Sequence, residues 1–376
     1  MSAPEGTALR PIDLRGDAFA RGRAQAVQGA PVAQVRAAMA ARLAEARAAG
    51  LLTGDGLAYV DRQRAFAEAH CPEAMAEVAG IAEGFGLPEE DVFLHQHLGI
   101  LRDLAGGGAF SEEGCSAWAV ASGPDGPLVV KNRDFSGHHA GIQRVFRHDG
   151  PDLAQGPVLC LGSLASPGAY SSGLNAAGLA LADTQVGVRR HAVGWPRYFL
   201  MTRILARCAN VDEALDLIRT VPHAGGGALI LADAQGGVAA VELGAACVAV
   251  EEAPVVCRTN HFTTTALAGE TLAGGGSRID DSSAKRRAHL DAELPGRAWN
   301  VDAAAALMAR HLEDCGAPLC QHAAGPSEAR TLASTVYRCR AGVLHACLDA
   351  PCTGTWHRLP VAAGAFVRQW PTRLTS

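Results

Sequence analysis

Cys115 is the side chain best placed to do chemistry. It follows Gly114 and opens the run CSAWAVAS, which GPDG joins to PLVVKNRDF. Two short apolar runs around such a turn read as a β-hairpin. In a hairpin the start of one strand lies beside the end of the other, so Cys115 is expected next to Asn132, Arg133 and Asp134. The Arg133 guanidinium would draw the thiol toward its nucleophilic thiolate form. The Asp134 carboxylate could orient an amine or hold a proton-carrying group. Gly114 removes side-chain bulk and permits unusual backbone dihedrals, and strain there would open its carbonyl to the neighbouring thiol.

Each residue also has a plain reading. A lone cysteine is usually a small buried hydrophobe, Asp134 could end a strand, and Asn260 could serve a turn. Cys315, Cys320 and His322 lie close in sequence, as do Cys339, Cys347 and Cys352, but neither group has the paired CxxC spacing of a zinc site. The expectation is therefore packing and no metal. Gly225–Gly227 lacks the Lys-Ser/Thr of a phosphate loop, and no GxSxG elbow occurs.

The hairpin needs elements around it. Residues 17–104 are rich in Ala, Arg, Gln and Leu and read as helices, broken at Pro72 and Pro88. Ala105–Gly114, AGGGAFSEEG, reads as a boundary loop. Beyond the hairpin, strands are expected at Ile142–Arg147, Val158–Leu161, Ala169–Leu174, Leu179–Asp183, Ala228–Ala232 and Val238–Leu243. Three more follow at Leu332–Arg338, Val343–Asp349 and Thr355–Leu359. Helices are expected at Pro196–Ala209, Val211–Arg219, Ser282–Glu293 and Val301–Glu313. Strands interleaved with helix pairs suggest helices covering sheets.

The motifs resemble the penicillin acyltransferase (isopenicillin N acyltransferase) family of N-terminal nucleophile hydrolases. GCSAWAV followed by VVKNRDF resembles its cleavage site. GDAFARGRAQA, AEVAGIAEGFGLPEEDV, GLNAAGL, GWPRYFLMTRIL, LILADAQGGVAAVE, RTNHF and PLCQH extend the likeness over most of the chain. The resemblance implies an α+β fold, a four-layer αββα sandwich. Residues 1–114 would form a helical pro-segment that stays bound as a small subunit, and residues 115–376 the catalytic part.

The resemblance further implies self-cleavage between Gly114 and Cys115. The freed α-amine, with a pKa of about 8, could then take the thiol proton. Asp134 would bind that amine, and Asn260 would donate to the oxyanion. Arg133 replaces a bulky aromatic common in the family, so tuning the thiol, pairing with Asp134 and contacting substrate all stay open. For a late arginine that the family and its bile-salt and penicillin-V hydrolase relatives use, Arg286, Arg287 and Arg330 are candidates, with Arg286 preferred. His138 and Tyr170 are further candidates for substrate contact.

The expected function is amide hydrolysis or acyl transfer through a Cys115 thioester, on a small amide or N-acyl amino compound. No metal or organic cofactor is required, although a transferase would need an acyl donor such as acyl-CoA. Rival readings are an amide- or ring-forming acyltransferase of specialised biosynthesis and an uncleaved, inactive ligand-binding relative. The net charge of -5 comes without any Lys/Arg block, which argues against nucleic acid. No apolar run reaches membrane-spanning length, and the N-terminus lacks a secretory apolar core. Eleven scattered cysteines, an odd number, fit reduced thiols and a cytoplasmic setting. Assembly into a homo-oligomer is compatible with all of this.

Overall fold

The switch from alanine-rich to Val/Leu-rich patterning marks the passage from helices to sheets. The computed structural model describes residues 9–26, 30–107, 114–272, 278–323, 325, 328–362 and 369–371. Residues 108–113 of the expected boundary loop, and 27–29 of the expected first helical run, lie outside them.

The N-terminal part holds β1 (Ile12–Arg15), α1 (Ala18–Ala24), α2 (Val32–Ala48), α3 (Gly54–His70), α4 (Pro72–Phe85), α5 (Glu89–His95) and α6 (Leu98–Leu104). Pro72 opens α4, where its missing N–H costs nothing. Gly22 and Gly80 let α1 and α4 touch main chain to main chain, because a Cβ on either would run into the other helix.

The hairpin is β2 (Ser116–Val120) and β3 (Leu128–Ser136). Then come β4 (Gln143–Asp149), β5 (Val158–Ser163), β6 (Ser172–Asn175), β7 (Ala180–Thr184), α7 (Arg197–Arg207), α8 (Val211–Thr220), β8 (Ala228–Ala232), β9 (Val238–Leu243), β10 (Val248–Glu252) and β11 (Val255–Arg258). The chain continues through α9 (Arg278–Glu293), α10 (Val301–Met308), α11 (Leu312–Cys315), β12 (Ala329–Arg338), β13 (Val343–Cys347), β14 (Thr355–Pro360) and β15 (Gln369–Pro371).

Two sheets result. One has the order β1-β4-β5-β6-β7-β8-β9-β10, the other β11-β2-β3-β12-β13-β14-β15. Ala117, Val129 and Ala333 of the second sheet pack against Leu161, Ala182 and Ile230 of the first. The outer face of the first sheet packs on α1–α8 through residues such as Phe146, Leu181 and Leu231. The outer face of the second packs Trp118, Val130 and Val336 against Leu290 of α9 and Ala304 of α10. The layers are helix, sheet, sheet, helix: the expected αββα sandwich.

The N-terminal segment is largely helical and adds one strand, β1, which pairs in parallel with β4, Ile12 opposite Phe146. Two elements differ from expectation. The long helix expected over Val301–Glu313 stops at Met308, and a separate short turn, α11, begins at Leu312. The hairpin β10–β11 was not expected, because its half-exposed VAVEE run lacks clean alternation. It matters because β11 lies against β2, Arg258 opposite Ala117, which carries Thr259 and Asn260 past Cys115.

Candidate active site

Strand alternation decides what Cys115 faces. Ser116 lies opposite Asn132 and Ala117 opposite Lys131. Successive side chains point to opposite faces, so Cys115 shares the inter-sheet face with Ala117, Lys131 and Arg133. Ser116, Asn132 and Asp134 face the helices.

The Cys115 Sγ is buried and lies 3.6 Å from the main-chain oxygen of Asp134. Burial pushes its thiol up, while the charge of Lys131 pulls the other way. The Lys131 ammonium is held by the Asp183 carboxylate, the Asp183 main-chain oxygen at 2.7 Å and the Ser171 oxygen at 3.3 Å. Arg197 grips the second Asp183 oxygen at 2.6 Å. Burial works against the Asp183 charge, but the two cations outweigh it and hold the carboxyl below the usual range.

A cavity opens beside the sulfur, lined by Arg133, Phe135, Tyr170, Arg197 and Tyr198 among others. Arg133 lies over the Phe135 and Tyr170 rings, 5.2 and 5.5 Å from their centroids, and donates to Gln143. Tyr170 stacks on Tyr198 at 4.3 Å. Of the readings left open for Arg133, its place in the cavity wall favours substrate contact. Another hollow, near Glu77 and Phe199, contains Cys71, whose thiol burial pushes up to about 12.

On the opposite face the Asp134 carboxylate accepts from Thr331 Oγ1 at 2.5 Å and Gln321 Nε2 at 2.9 Å. Burial raises it to about 7 against the opposing pull of Arg286, Thr331, Lys131 and Gln321. The same Gln321 Nε2 donates to the Gly114 oxygen at 3.0 Å. Gly114 is not in the left-handed region. What it supplies is space, since a Cβ there would fall 2.5 Å from Gln321 Nε2.

Arg286 is the late arginine that reaches Cys115. Its Nη1 donates to the Cys115 oxygen at 2.6 Å and to Ser116 Oγ at 2.8 Å, and its Nη2 to Asn260 Oδ1 at 2.9 Å. Arg287 instead pairs with Asp291, and Arg330 donates to the Gly325 oxygen. Asn260 Nδ2 donates to the Gln185 oxygen at 2.8 Å, a bond it would have to exchange to meet an oxyanion. His138 pairs with Glu45 of α2 and is not in the wall of the Cys115 cavity.

Cys115, Asp134, Arg286 and Asn260 are thus brought together, with Arg133 and Tyr170 in the cavity. Lys131, Gln321 and Thr331 were missed. Lys131 was visible as the residue two before Arg133 on one face of a strand. Gln321 and Thr331 approach from far along the chain. Among the described residues one group, His311, Cys320, His322 and Cys352, is close enough to share an ion, and it lies outside the cavity.

Residues 121–352 match the family described as acyl-coenzyme A:6-aminopenicillanic acid acyl-transferase. The chain belongs to this family. It is accordingly an enzyme of the acyltransferase type. No curated protein matches the sequence. Among solved structures the chain is similar to a conjugated bile acid hydrolase from Clostridium perfringens, at 12% identity over 68% of this chain and 96% of that one, with a TM-score of 0.43. It is also similar to the penicillin V acylase from Agrobacterium tumefaciens, at 14% identity over 68% and 90% of the two chains, with a TM-score of 0.41. No described helix is long and apolar enough to cross a membrane.

Proposed function

We propose that this acyltransferase-family enzyme cuts its own chain before Cys115 and then transfers acyl groups through the same sulfur. The reading is carried by one observation: Cys115 has its sulfur in a cation-lined cavity and its main-chain oxygen clamped by Arg286. In the first step the sulfur attacks the Gly114 carbonyl carbon, whose oxygen accepts from Gln321. The C–N bond breaks, the thiol proton goes to the departing nitrogen, and water releases Gly114 as a carboxylate. Cys115 then carries a free amine, within reach of the Asp134 side of the strand. That amine takes the thiol proton during turnover and returns it to the leaving amine.

The cavity suits a small substrate. Its aromatic walls with Arg133 and Arg197 fit an acyl or N-acyl amino compound carrying a flat apolar group or an anionic end. Water resolving the thioester makes the enzyme a hydrolase, and an amine makes it a transferase. No disulfide joins any of the eleven cysteines, in keeping with a reducing setting.

Intact-mass analysis of the purified protein tests the first step. Two pieces meeting at Gly114 and Cys115 are expected, and an intact chain that no acyl probe labels would leave only the ligand-binding reading. A screen of N-acyl amino compounds with and without competing amines, scoring released amine and new amide, separates hydrolysis from transfer.

A further inference from the structure

Four ligand atoms converge where α10, α11 and the chain entering β12 meet the turn after β13. His322 Nε2 lies 3.2 Å from His311 Nε2, 3.3 Å from Cys352 Sγ and 3.6 Å from Cys320 Sγ. The two sulfurs are 3.6 Å apart, and all four atoms lie within 4.8 Å of one another. One imidazole nitrogen has a single proton or a single lone pair to offer, so hydrogen bonding cannot satisfy three such neighbours at once.

A cation at the centre can. With zinc bonds of about 2.3 Å to sulfur and about 2.0 Å to nitrogen, a tetrahedron has S–S, S–N and N–N edges near ~3.7, ~3.5 and ~3.3 Å. The four close pairs match those edges within about 0.3 Å. Asp314 adds a second, independent sign, for its Oδ2 lies 3.2 Å from His311 Nδ1. The same oxygen accepts from the His311 N–H at 2.9 Å, and with the ring proton on Nδ1 the Nε2 lone pair would point into the cluster, as behind metal-bound histidines.

We propose that His311, Cys320, His322 and Cys352 bind one structural Zn²⁺ ion that fixes Gln321 beside the scissile bond. Thiolate and imidazole donors select zinc over magnesium or calcium, and four protein ligands leave no open position for catalysis. Two thiolates and two neutral imidazoles bring the site to zero net charge, with two protons released on binding. The sequence argued against zinc because no CxxC pair occurs. The fold instead assembles Cys-x-His with a histidine and a cysteine from two other segments.

Two of the ligands flank Gln321. Its main chain is held from the other side by Thr331, N–H to Oγ1 at 2.8 Å and oxygen to the Thr331 N–H at 3.0 Å. An ion therefore completes the anchorage of the side chain that bridges Gly114 and Asp134. The zinc site stands whether or not Cys115 is the nucleophile.

The test uses the full chain prepared with a non-thiol reductant. Elemental analysis should find one zinc per chain. Replacement by Co²⁺ should give thiolate-to-cobalt charge transfer and the intense visible bands of a tetrahedral ion. Cys352→Ser, at a half-exposed position, should lower bound zinc at least about tenfold, whereas Cys315→Ser should keep it. Amide exchange across residues 316–323 should speed up when a chelator strips the ion. Failure of the reduced wild-type chain to retain zinc after incubation and desalting would overturn the site, as would full retention in Cys352→Ser or a Cys320–Cys352 disulfide under reducing conditions. Unchanged exchange after stripping would overturn the anchoring of Gln321.

Discussion

The sulfur of Cys115 and the carboxylate of Asp134 lie on opposite faces of the same sheet, even though Sγ is 3.6 Å from the Asp134 main-chain oxygen. The nucleophile and the group proposed to hold its amine meet only through the backbone of Cys115. In the proposed reaction one face would serve the sulfur and the acyl group, and the other the nitrogen.

Cys115→Ala should leave the chain intact and lower turnover by at least about 10⁴-fold, as loss of a nucleophile does elsewhere. Intact mass and product release read the two effects. Turnover that survives the substitution would remove sulfur from the reaction.

Lys131→Met should raise the Cys115 pKa further, because it deletes the charge that opposes burial. The rate of alkylation of Cys115 near neutral pH should fall by about tenfold per unit of that rise. Asp183 keeps Arg197 as a partner, so the fold should survive at a cost below the ~3–5 kcal/mol of a fully orphaned buried charge. Lys131→Arg should recover most of the reactivity, measured as alkylation rate against pH.

Asp134 ionises less readily in the folded chain, at about 7 rather than 3.8. Between about pH 4 and 7 the folded state therefore keeps a proton that the unfolded state has released. Stability then falls as pH rises through that window, by at most roughly 4 kcal/mol from this group. Asp134→Asn should flatten that fall and stop processing. Buried Glu77, also raised to about 7, acts in the same direction, while buried histidines such as His95 and His148, held down at about 3, make stability rise with pH. The contribution of Asp134 is therefore read as the difference between wild type and Asp134→Asn. Denaturation midpoints from pH 4 to 8 check both.

Gln321→Ala removes a donor from the Gly114 oxygen. Scission should slow by about 10²-fold, as with loss of one oxyanion donor. Gly114→Ala should slow it in the same direction, because the new Cβ displaces Gln321 Nε2. The fraction of cut chain against time after cell-free synthesis reads each rate.

Much of this was legible in local pattern. The β2–β3 hairpin and the strands β8 and β9 follow directly from alternating or continuous apolar runs between turn residues. Local pattern also placed Cys115 beside the end of β3. It did not separate Lys131 from Arg133, which share the sulfur's face, so Arg133 stood in for Lys131 as the cation acting on the thiol. Arg133 is instead drawn to Gln143 and the Phe135 and Tyr170 rings, contacts made by residues outside the hairpin turn. Gln321, Thr331 and the four converging histidines and cysteines stayed hidden for another reason. Their meeting depends on β12 pairing with β3 and on the turn after β13, contacts spanning much of the chain.

β1 binds the residues before Cys115 into the same sheet as β4, through main-chain bonds from Ile12 to Arg15. A cut at Gly114 would thus sever the polypeptide without freeing either half. The native assembly would persist, but its route of formation would not. A processed molecule that is fully denatured has two strangers to reunite, so recovery becomes second order and fades with dilution. An unprocessed Cys115→Ala chain recovers at a rate independent of concentration. Maturation by such a cut would act as a molecular ratchet, trading renewable folding for a free amine.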